Sequence, residues 1–399
     1  MVAVLAGAPM QAQPPSGDAL LAPARLAALP PAERGEWQAW IDTSRALAAR
    51  DRAAMRRELD AAGLRAPGRA PYHMGFTIER WMTPAFARSD SGRRLTASVL
   101  SWQTPSGGWS KRIDLYAGPR TPGTAYGSEG DGWAYVPTID NEATVAQLRW
   151  LGVVAGAGLA DPAVRVAIAR GVAYLERAQA PNGCWPQVYP LAGGYHDAAT
   201  FNDDAGVNVL RLLRDVASGR LPGAPDDTRA LARAAERRGV GCLVRAQVRE
   251  GGVPTVWGQQ HDPLTLAPVG ARSYEHASLA SKESATIVDF LMELPAPSPE
   301  VVVAVHAAAD WFRRTALRDS VYEYGVGTRH RPGAPLLWPR MIELGTGRAL
   351  FSNRDGVRRY AHDALTDRRQ GYAWYSDQPD ATLRRYERWA RAHPRVAAR

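Results

Sequence analysis

Apolar residues recur with the spacing of an amphipathic helix near the start of the chain. Pro31 opens this pattern, and Gly63 and Pro67 end it. The apolar positions fall on one helical face: Trp37, Trp40, Ile41, Leu47, Met55 and Leu59. Because proline is favoured in the first turn of a helix and glycine just past the last, the pattern predicts one long helix between these limits.

Helical patterns dominate again in the second third of the chain. The predicted helices run from Thr138 or Asp140 to about Gly156, from Asp161-Pro162 to about Gln179, and over 203–217, 226–248, 277–293, 299–317 and 380–392. The intervening segment from Ala66 to Val136 is rich in Gly, Pro, Ser, Thr and Trp and predicts loops with short strands. Past Pro335 the pattern predicts an aromatic-rich loop.

A three-part repeat underlies these helices. Each unit reads as a helix end, a glutamine, a glycine turn and a tryptophan, as in Leu100–Trp109, Leu175–Trp185 and Leu243–Trp257. One helical hairpin cannot bury its apolar face alone, so repeated hairpins imply a closed ring. The repeat predicts an α/α toroid with its glycine loops at one end. The alternative is that the three segments are similar only because helix C-caps converge on similar sequences.

Composition places the chain among ordinary globular proteins and gives it a basic charge. The 399 residues are 45% hydrophobic and 22% charged, which excludes a disordered or collagen-like chain. Lys and Arg total 49 against 40 Asp and Glu, for a net charge of +9. Only Lys111 and Lys282 are lysines, and the other basic residues are arginines. Because arginine is so common in this chain, an arginine indicates function only where its position does. A basic surface suits nucleic acid, an anionic membrane or an acidic polysaccharide.

The cysteines and the N-terminus bear on the compartment. Cys184 and Cys242 are too few for a four-ligand zinc site, but they can pair in an oxidising compartment. No apolar run approaches the ~20 residues that span a bilayer. Met1–Gln13 combines a short apolar stretch with small residues and has no basic start, which leaves a cropped secretory signal open.

Polar residues cluster in the loops that join the helices. The strings are TPSGGWSK from Thr104, TIDNEAT from Thr138, PNGCWPQVYP from Pro181 with TFNDDA from Thr200, QQHDPLTLAP from Gln259, ARSYEH from Ala271, NRDGV from Asn353 and GYAWYSD from Gly371. Together, over about residues 70–380, they resemble the family 10 polysaccharide lyases, which are calcium-dependent pectate lyases. The resemblance implies a mainly α fold, an (α/α)₃ toroid with an irregular loop and short-strand lobe that forms an open groove.

The resemblance implies cleavage of polygalacturonate by anti β-elimination, assisted by Ca²⁺. This reaction removes the C5 proton next to an anionic carboxylate, and Ca²⁺ suits the task because it accepts six to eight oxygen ligands. The resemblance assigns calcium binding to Asp140 and Asp203, although either residue could instead be a helix N-cap. Adjacent helical side chains point ~100° apart, so only one of Asp203 and Asp204 is expected to be a ligand. Glu142 departs from the shorter residue that the family places there.

The resemblance also assigns the base and the substrate contacts. It implies that Arg272 is the catalytic base, although guanidinium is normally protonated. Nearby cations would favour its neutral form, so we expect an alkaline optimum; a purely electrostatic role is the rival. The expected substrate-binding residues are Lys111, Arg340, Arg354, Trp109, Tyr274 and His276. His196, His261 and His276 are interpreted as hydrogen-bonding groups that line the groove, and Lys282 as a solvated helix residue.

These expectations define one catalytic unit and its alternatives. Residues 1–30 are predicted to be a signal remnant or loose lead-in, and 31–399 the catalytic unit, with a helical part at about 31–66 and the toroid and loop lobe at about 70–380. We expect a secreted monomer that binds pectate, without a nucleic-acid or membrane partner. The alternatives are a toroid glycoside hydrolase that uses Asp140 and Asp203 as paired carboxylates, and a non-catalytic polyanion-binding protein.

Overall fold

Helices form most of the regular structure in a computed structural model that describes residues 20–128 and 136–395. The predicted signal remnant at Met1–Gln13 lies outside the described residues. The helices are α1 (Pro23–Ala27), α2 (Pro31–Ala62), α3 (Pro84–Arg88), α4 (Asp90–Ser101), α5 (Val145–Val154), α6 (Pro162–Ala178), α7 (Ala205–Ala217), α8 (Asp226–Ala246), α9 (Ser281–Met292), α10 (Pro299–Thr315) and α11 (Gln378–Ala392).

The long N-terminal helix is confirmed. Its predicted apolar face is buried, and Gly63 ends it in the left-handed conformation that favours glycine. Two other predicted helix starts are also confirmed by their caps. The side chain of Asp161 accepts a hydrogen bond from the Val164 amide, and that of Ser298 accepts one from the Val301 amide.

The repeat is visible as a repeated hydrogen-bond pattern. Gln103, Gln179 and Gln247 each donate from Nε2, at 2.7–2.9 Å, to a carbonyl of their own glycine loop and to a carbonyl of a helix in the next unit: Gly107 and Ala167, Gly183 and Ala235, and Thr255 and Ala304. The tryptophans donate from Nε1 to the preceding helix: Trp109 to Val99, Trp185 to Leu175 and Trp257 to Leu243. Helices α4, α6, α8 and α10 thereby follow one another around the (α/α)₃ toroid.

Two local predictions are wrong. The segment from Ala66 to Val136 contains α3 and α4 in addition to loops, because Ser89 caps α4 and an apolar face led by Leu95 and Val99 packs into the core. Helix α5 begins only at Val145, after residues 140–144. Left-handed backbone at three non-glycine positions of that segment prevents a helix from starting at Thr138 or Asp140.

Short strands build the irregular lobe between and after the helices. They are β1 (Ala199–Thr200), β2 (Arg249–Glu250), β3 (Val253–Pro254), β4 (Gln260–His261), β5 (Pro268–Val269), β6 (Leu279–Ala280), β7 (Ser320–Glu323), β8 (Gly327–His330), β9 (Trp338–Pro339), β10 (Met341–Ile342), β11 (Phe351–Ser352), β12 (Arg358–Arg359) and β13 (Tyr375–Ser376). All pairings are antiparallel, in a β1-β4-β5 sheet and the pairs β6-β10, β9-β13, β2-β3, β7-β8 and β11-β12. The β6-β10 and β9-β13 pairs hold Arg340 beside the start of α9.

Helix α2 is fastened across the first two repeat units. Trp40 donates from Nε1 to the Arg177 carbonyl at 3.0 Å, and Glu58 accepts a two-armed contact from Arg120. Cys184 and Cys242, whose pairing the sequence left open, form a disulfide that joins a glycine loop to α8. Among the described residues, no helix is both long enough and apolar enough to cross a membrane.

Candidate active site

Two matching turns carry the predicted metal-binding carboxylates. Asp140–Glu142 precedes α5 and Asn202–Asp204 precedes α7, and each is a single 3₁₀ turn. Asn141 and Glu142 have φ of 49° and 61°, and Asp203 and Asp204 have φ of 50° and 63°. Left-handed backbone costs a non-glycine residue about 1–3 kcal/mol, and such strain concentrates at functional sites. The two turns are therefore candidates on backbone conformation alone.

A buried ion pair lies at the first turn. The ammonium of Lys111 is 2.6 Å from Oδ2 of Asp140, and both side chains are largely shielded from solvent. The Thr138 hydroxyl accepts a hydrogen bond from the Asp140 amide and donates to the Gln187 carbonyl, so this turn is tied to the second repeat unit. The predicted groove residues Lys111 and Asp140 are thus brought together.

Each repeat tryptophan is followed, two residues later, by a polar side chain of the site. These side chains are Lys111, Gln187, Gln259 and, after the further tryptophan Trp338, Arg340. Lys111 contacts Asp140, whereas Gln259 donates to Asn202 and Glu283. Gln187 and Gln259 were not among the predicted site residues, although their position two residues after a repeat tryptophan is a signal that identifies both.

Arg340 is committed to protein carboxylates. Its side chain donates from Nε and Nη2 to Glu283, and Nη2 also lies 3.2 Å from Oδ1 of Asp203. The residue is 6% exposed, and burial opposes its charge, but Glu283 chiefly and then Tyr372 raise the pKa of Arg340 well above its ordinary value. In this structure Arg340 therefore orients Asp203, and its predicted contact with a substrate carboxylate stays a prediction.

An aromatic chain connects Arg340 with Arg272. The guanidinium of Arg340 lies 4.7 Å from the ring centre of Tyr372, which packs edge-on against Tyr274 at 5.6 Å. The guanidinium of Arg272 lies 5.0 Å from the ring centre of Tyr274. These cation–π contacts fix the relative positions of the two arginines.

Arg272, the predicted base, is paired with a carboxylate. Glu275 accepts from its Nε at 2.7 Å and from its Nη2 at 2.5 Å. Burial by itself would lower the pKa of Arg272, but the hydrogen bonds and charge of Glu275 raise it above its ordinary value. The protein groups around Arg272 therefore favour its protonated form, and the expected effect of nearby Ca²⁺ stays a prediction. With 45% of its side chain exposed, Arg272 is nevertheless accessible from the groove.

His196 lies within electrostatic range of both the Lys111–Asp140 pair and Arg272. Burial chiefly lowers the pKa of His196, and Lys111, Asp140 and Arg272 all contribute to its electrostatic environment. One imidazole thus senses both the Lys111–Asp140 pair and the predicted base. Its ring stacks on Tyr195 at 4.0 Å, which fixes its position.

Burial and neighbouring charges shift the pKa values of carboxylates at both turns. Burial raises the pKa of Asp204, and the nearby Glu283 raises it further while Lys282 opposes the shift. Burial likewise raises the pKa of Glu142, to which Asp204 adds. Lys282 lies 3.3 Å from Asp204 and is partly buried, so its assignment to a solvated helix face is wrong. Asp203 is the more exposed of the two adjacent aspartates.

Several predicted groove residues are buried instead. Trp109 is 1% exposed and belongs to the toroid core, and Tyr274 is 5% exposed beneath the guanidinium groups of Arg272 and Arg368. The predictions that these rings stack on sugar are therefore wrong. His276 is also buried, and burial chiefly lowers its pKa. His261 is wrong as a groove residue, because it accepts from the Gly258 amide inside the core and burial lowers its pKa to about 4.

Arg354 lies next to the turn that carries Arg272. The Ser273 hydroxyl donates to the Arg354 carbonyl at 2.8 Å, and the Arg354 guanidinium is mostly exposed, 3.7 Å from Asp367. An exposed guanidinium can grip a carboxylate with two parallel hydrogen bonds. Of the predicted substrate-binding arginines, Arg354 is the one whose position leaves it open to a ligand.

The side chains of the site that could bind a metal ion offer mainly carboxylate and amide oxygens. Among the described residues, no three His, Cys, Asp or Glu side chains converge tightly enough to hold a metal ion. Three buried oxygens of the site, however, have no hydrogen-bond partner in the described chain: Oε1 of Gln187, Oδ1 of Asp204 and Oε2 of Glu283. Unpaired oxygens of this kind match the ligand preference of Ca²⁺ rather than that of zinc or copper. The chemistry of these oxygens suits a hard cation, and further ligands would have to complete its coordination.

Comparison with known proteins identifies the family of this chain. The pectic acid lyase family profile matches residues 103–383. The family 10 polysaccharide lyase from Cellvibrio cellulosa is 31% identical over 81% of this chain and 100% of its own, with a TM-score of 0.67. An aspartate-to-alanine mutant of that lyase, in complex with trigalacturonic acid, is 32% identical over 78% and 96% of the two chains, with the same TM-score.

The family profile and the solved structures indicate the same family. A search of curated protein sequences found no significant match. The family profile covers more than half of the chain, and the solved relatives exceed 30% identity along nearly their whole length. The chain belongs to the pectic acid lyase family and is a pectate lyase of polysaccharide lyase family 10.

Proposed function

We propose that the chain is a calcium-dependent lyase that cleaves α-1,4-linked polygalacturonate by anti β-elimination and releases 4,5-unsaturated oligogalacturonates. The trigalacturonic acid complex of the Cellvibrio cellulosa relative supports this substrate class. The observation that carries the proposal is the accessible guanidinium of Arg272, within electrostatic reach of the imidazole that also senses Lys111 and Asp140. A base thus stands beside a fixed set of charges able to hold a uronate.

In the proposed reaction, neutral Arg272 removes the proton from C5 of the uronate. The C5–H electron pair forms the C4=C5 double bond, the C4–O bond breaks, and the departing glycosidic oxygen takes a proton from water. Lys111, held by Asp140, supplies positive charge near the carboxylate on which negative charge develops, and Arg354 binds a neighbouring carboxylate. Because Glu275 raises the pKa of Arg272, neutral base is scarce at neutral pH and the optimum is alkaline.

Asp140 and Asp203 are the residues proposed to hold calcium, with Gln187 as a neutral oxygen donor next to the Asp140 turn. Gln187 accepts from the Thr138 hydroxyl through its backbone carbonyl, which places it next to the Asp140 turn. Lys111 and Arg340 orient the two carboxylates. Bound calcium neutralises the substrate carboxylate and makes the adjacent C5–H bond more acidic. Two protein carboxylates are a sparse site for this ion, so substrate is proposed to complete it.

The same proposal includes a secreted, monomeric enzyme whose partner is pectate and not nucleic acid or membrane. The buried Cys184–Cys242 disulfide supports an oxidising compartment, where such bonds persist. The basic charge of +9 supports attraction to a polyanionic substrate. Size-exclusion chromatography with light scattering measures the oligomeric state.

Incubation with polygalacturonate, with and without a chelator, tests the proposed function. Elimination leaves a conjugated double bond that absorbs in the ultraviolet, whereas hydrolysis releases reducing ends without this absorbance. We expect absorbance to rise, to stop on addition of chelator and to return with added Ca²⁺. Reducing ends without absorbance would overturn the elimination mechanism, and full activity after chelation would overturn the calcium requirement.

A further inference from the structure

Among the described residues, Glu275 is the one whose side chain forms hydrogen bonds with the predicted base. Glu275 is 4% exposed, and its two oxygens face two different nitrogens of Arg272. This arrangement is bidentate, the geometry in which an arginine–carboxylate pair gives both strength and a fixed orientation. Nothing in the reaction requires a carboxylate at this place, because the base must lose a proton rather than keep it.

The local backbone is built to hold this pair. The Glu275 amide donates to the Arg272 carbonyl at 2.8 Å, and the Ala271 amide donates to the Glu275 carbonyl at 2.9 Å. A Cβ at Gly270 would come within 2.9 Å of the Glu275 carbonyl oxygen, so glycine is needed for this close approach. The tight turn thus brings the side chains of Arg272 and Glu275 together.

One nitrogen of the base stays available. Glu275 occupies Nε and Nη2, whereas Nη1 makes no hydrogen bond within the described part of the chain. The Tyr274 ring packs near the guanidinium, which limits its rotation. The geometry therefore presents Nη1 as the nitrogen able to approach C5 of a bound uronate.

We propose that Glu275 is a positioning residue that orients Arg272 so that Nη1 faces the substrate, and that it sets the pH at which the lyase becomes active. The inference rests on the proposed role of Arg272 as the base. Because a carboxylate in direct contact stabilises the protonated guanidinium, loss of Glu275 makes neutral Arg272 available at lower pH. It also frees the guanidinium to rotate, and a misplaced catalytic group can cost about 100-fold in rate.

Several other titratable or charged groups surround Arg272. Tyr274 lies in the same turn and Tyr372 on a separate segment, and His196 belongs to the Gly194–Asp197 turn. Arg354 and Arg368 contribute to the charge around the Tyr274 ring, and the Arg368 guanidinium lies 4.2 Å from its centre. None of these makes a hydrogen bond to the Arg272 side chain within the described chain. Glu275 is thus the neighbour whose removal is expected to shift the pH dependence most.

The test compares pH profiles of kcat for wild type, Glu275→Gln and Glu275→Asp. For Glu275→Gln we expect the rising alkaline limb to move to lower pH by roughly 1–3 units, the range over which a neighbouring opposite charge shifts a pKa. The maximal kcat should fall about 100-fold while KM changes little. Glu275→Asp keeps the charge and should retain the wild-type limb, with a reduced kcat.

Each outcome decides a different point. A purely structural role for Glu275 would lower the unfolding temperature and leave the limb in place, which would overturn the inference. If Glu275→Gln does not fold, Glu275→Asp decides, because unchanged kcat in that variant contradicts a positioning role. Glu293→Gln, which removes a carboxylate from Arg211 and Arg214 outside the groove, is the matched control and should leave the profile unchanged. Loss of the base assignment itself would instead appear as near wild-type activity of Arg272→Ala.

Discussion

The ammonium of Lys111 lies 2.6 Å from Oδ2 of Asp140, and this pair is nearly buried at the turn that precedes α5. Replacing Lys111 by Met leaves a buried carboxylate without its cation. Breaking a buried pair in this way costs about 3–5 kcal/mol, and loss of an electrostatic stabiliser typically costs about 10²–10³ in kcat. We expect Lys111→Met to lower both the free energy of unfolding and kcat by these amounts.

Urea unfolding and the ultraviolet elimination assay measure the two effects. Arg211→Met is the control, since Arg211 pairs with Glu293 at the protein surface and its loss should change stability by no more than about 1 kcal/mol. A Lys111→Met variant with wild-type kcat would show that the Lys111 charge does not assist elimination.

Arg272 is expected to determine the rate of proton removal. Arg272→Ala removes the base, and Arg272→Lys replaces a planar fork held by two bonds to Glu275 with a single flexible ammonium. We expect kcat of Arg272→Ala to fall by at least about 10²-fold, the lower range of a general-base contribution. The measurement is kcat against pH, and near wild-type kcat for either variant at alkaline pH would contradict the base assignment.

Much of the fold could be predicted from the sequence because its signals are local. The Gln–Gly–Trp repeat predicted the ring, since each glutamine and tryptophan satisfies carbonyls of adjacent helices at the same point of its unit. Helix starts could be predicted at caps such as Asp161, because the cap and the amide that it binds are only three residues apart. The start of α5 could not be predicted, because Asn141 is a weak signal for left-handed backbone and Glu142 and Thr144 are no signal at all.

The site was predicted in its residues but not in their exposure. The motifs identify the loops that carry the site, but they do not show which side chains point inward. Trp109, for example, is buried in the toroid, where its Nε1 donates a hydrogen bond to the Val99 carbonyl. The partners of charged residues were missed for a similar reason. Glu283 stands within a predicted helix, but its partner Arg340 is 57 residues away, so their pairing depends on how distant segments fold together. Glu275 lies only three residues after Arg272 in the same turn, so that pair could have been predicted from its spacing.

The Cys184–Cys242 disulfide should contribute strongly to stability. It closes a loop with a sequence separation of 58 residues, and constraint of the unfolded chain by such a loop is worth about 4 kcal/mol. We expect Cys184→Ser/Cys242→Ser to unfold at a lower temperature, with kcat little changed below that transition. Calorimetry with and without reductant measures the effect. Reductant should destabilise wild type only, and equal sensitivity of the double variant would contradict this account.

Acid should weaken the fold through Glu283. Burial opposes ionisation of this carboxylate, but Arg340 and then Lys282 hold its pKa below the ordinary value of 4.5. Its contribution to stability is therefore fully present above pH 4.5 and is lost as the pH falls through the lower folded-state pKa. Glu283→Gln should unfold more easily at neutral pH and lose part of the acid dependence, as urea titrations from about pH 3 to pH 7 would measure. An acid dependence identical to that of wild type would contradict this role.

Gln187 provides the sharpest test of the calcium site, because its buried Oε1, next to the Asp140 turn, has no hydrogen-bond partner among residues 20–128 and 136–395. Gln187→Leu removes the oxygen while nearly preserving volume, so the fold should tolerate it. If this oxygen contributes to ion binding, the Ca²⁺ concentration for half-maximal activity should rise about tenfold, which corresponds to loss of about 1.4 kcal/mol. Calorimetric titration of Ca²⁺ in the presence of trigalacturonic acid gives an independent reading. Gln260→Leu, which removes another unpaired buried oxygen, on β4, is the control, and equal losses in both variants would contradict a specific role for Gln187.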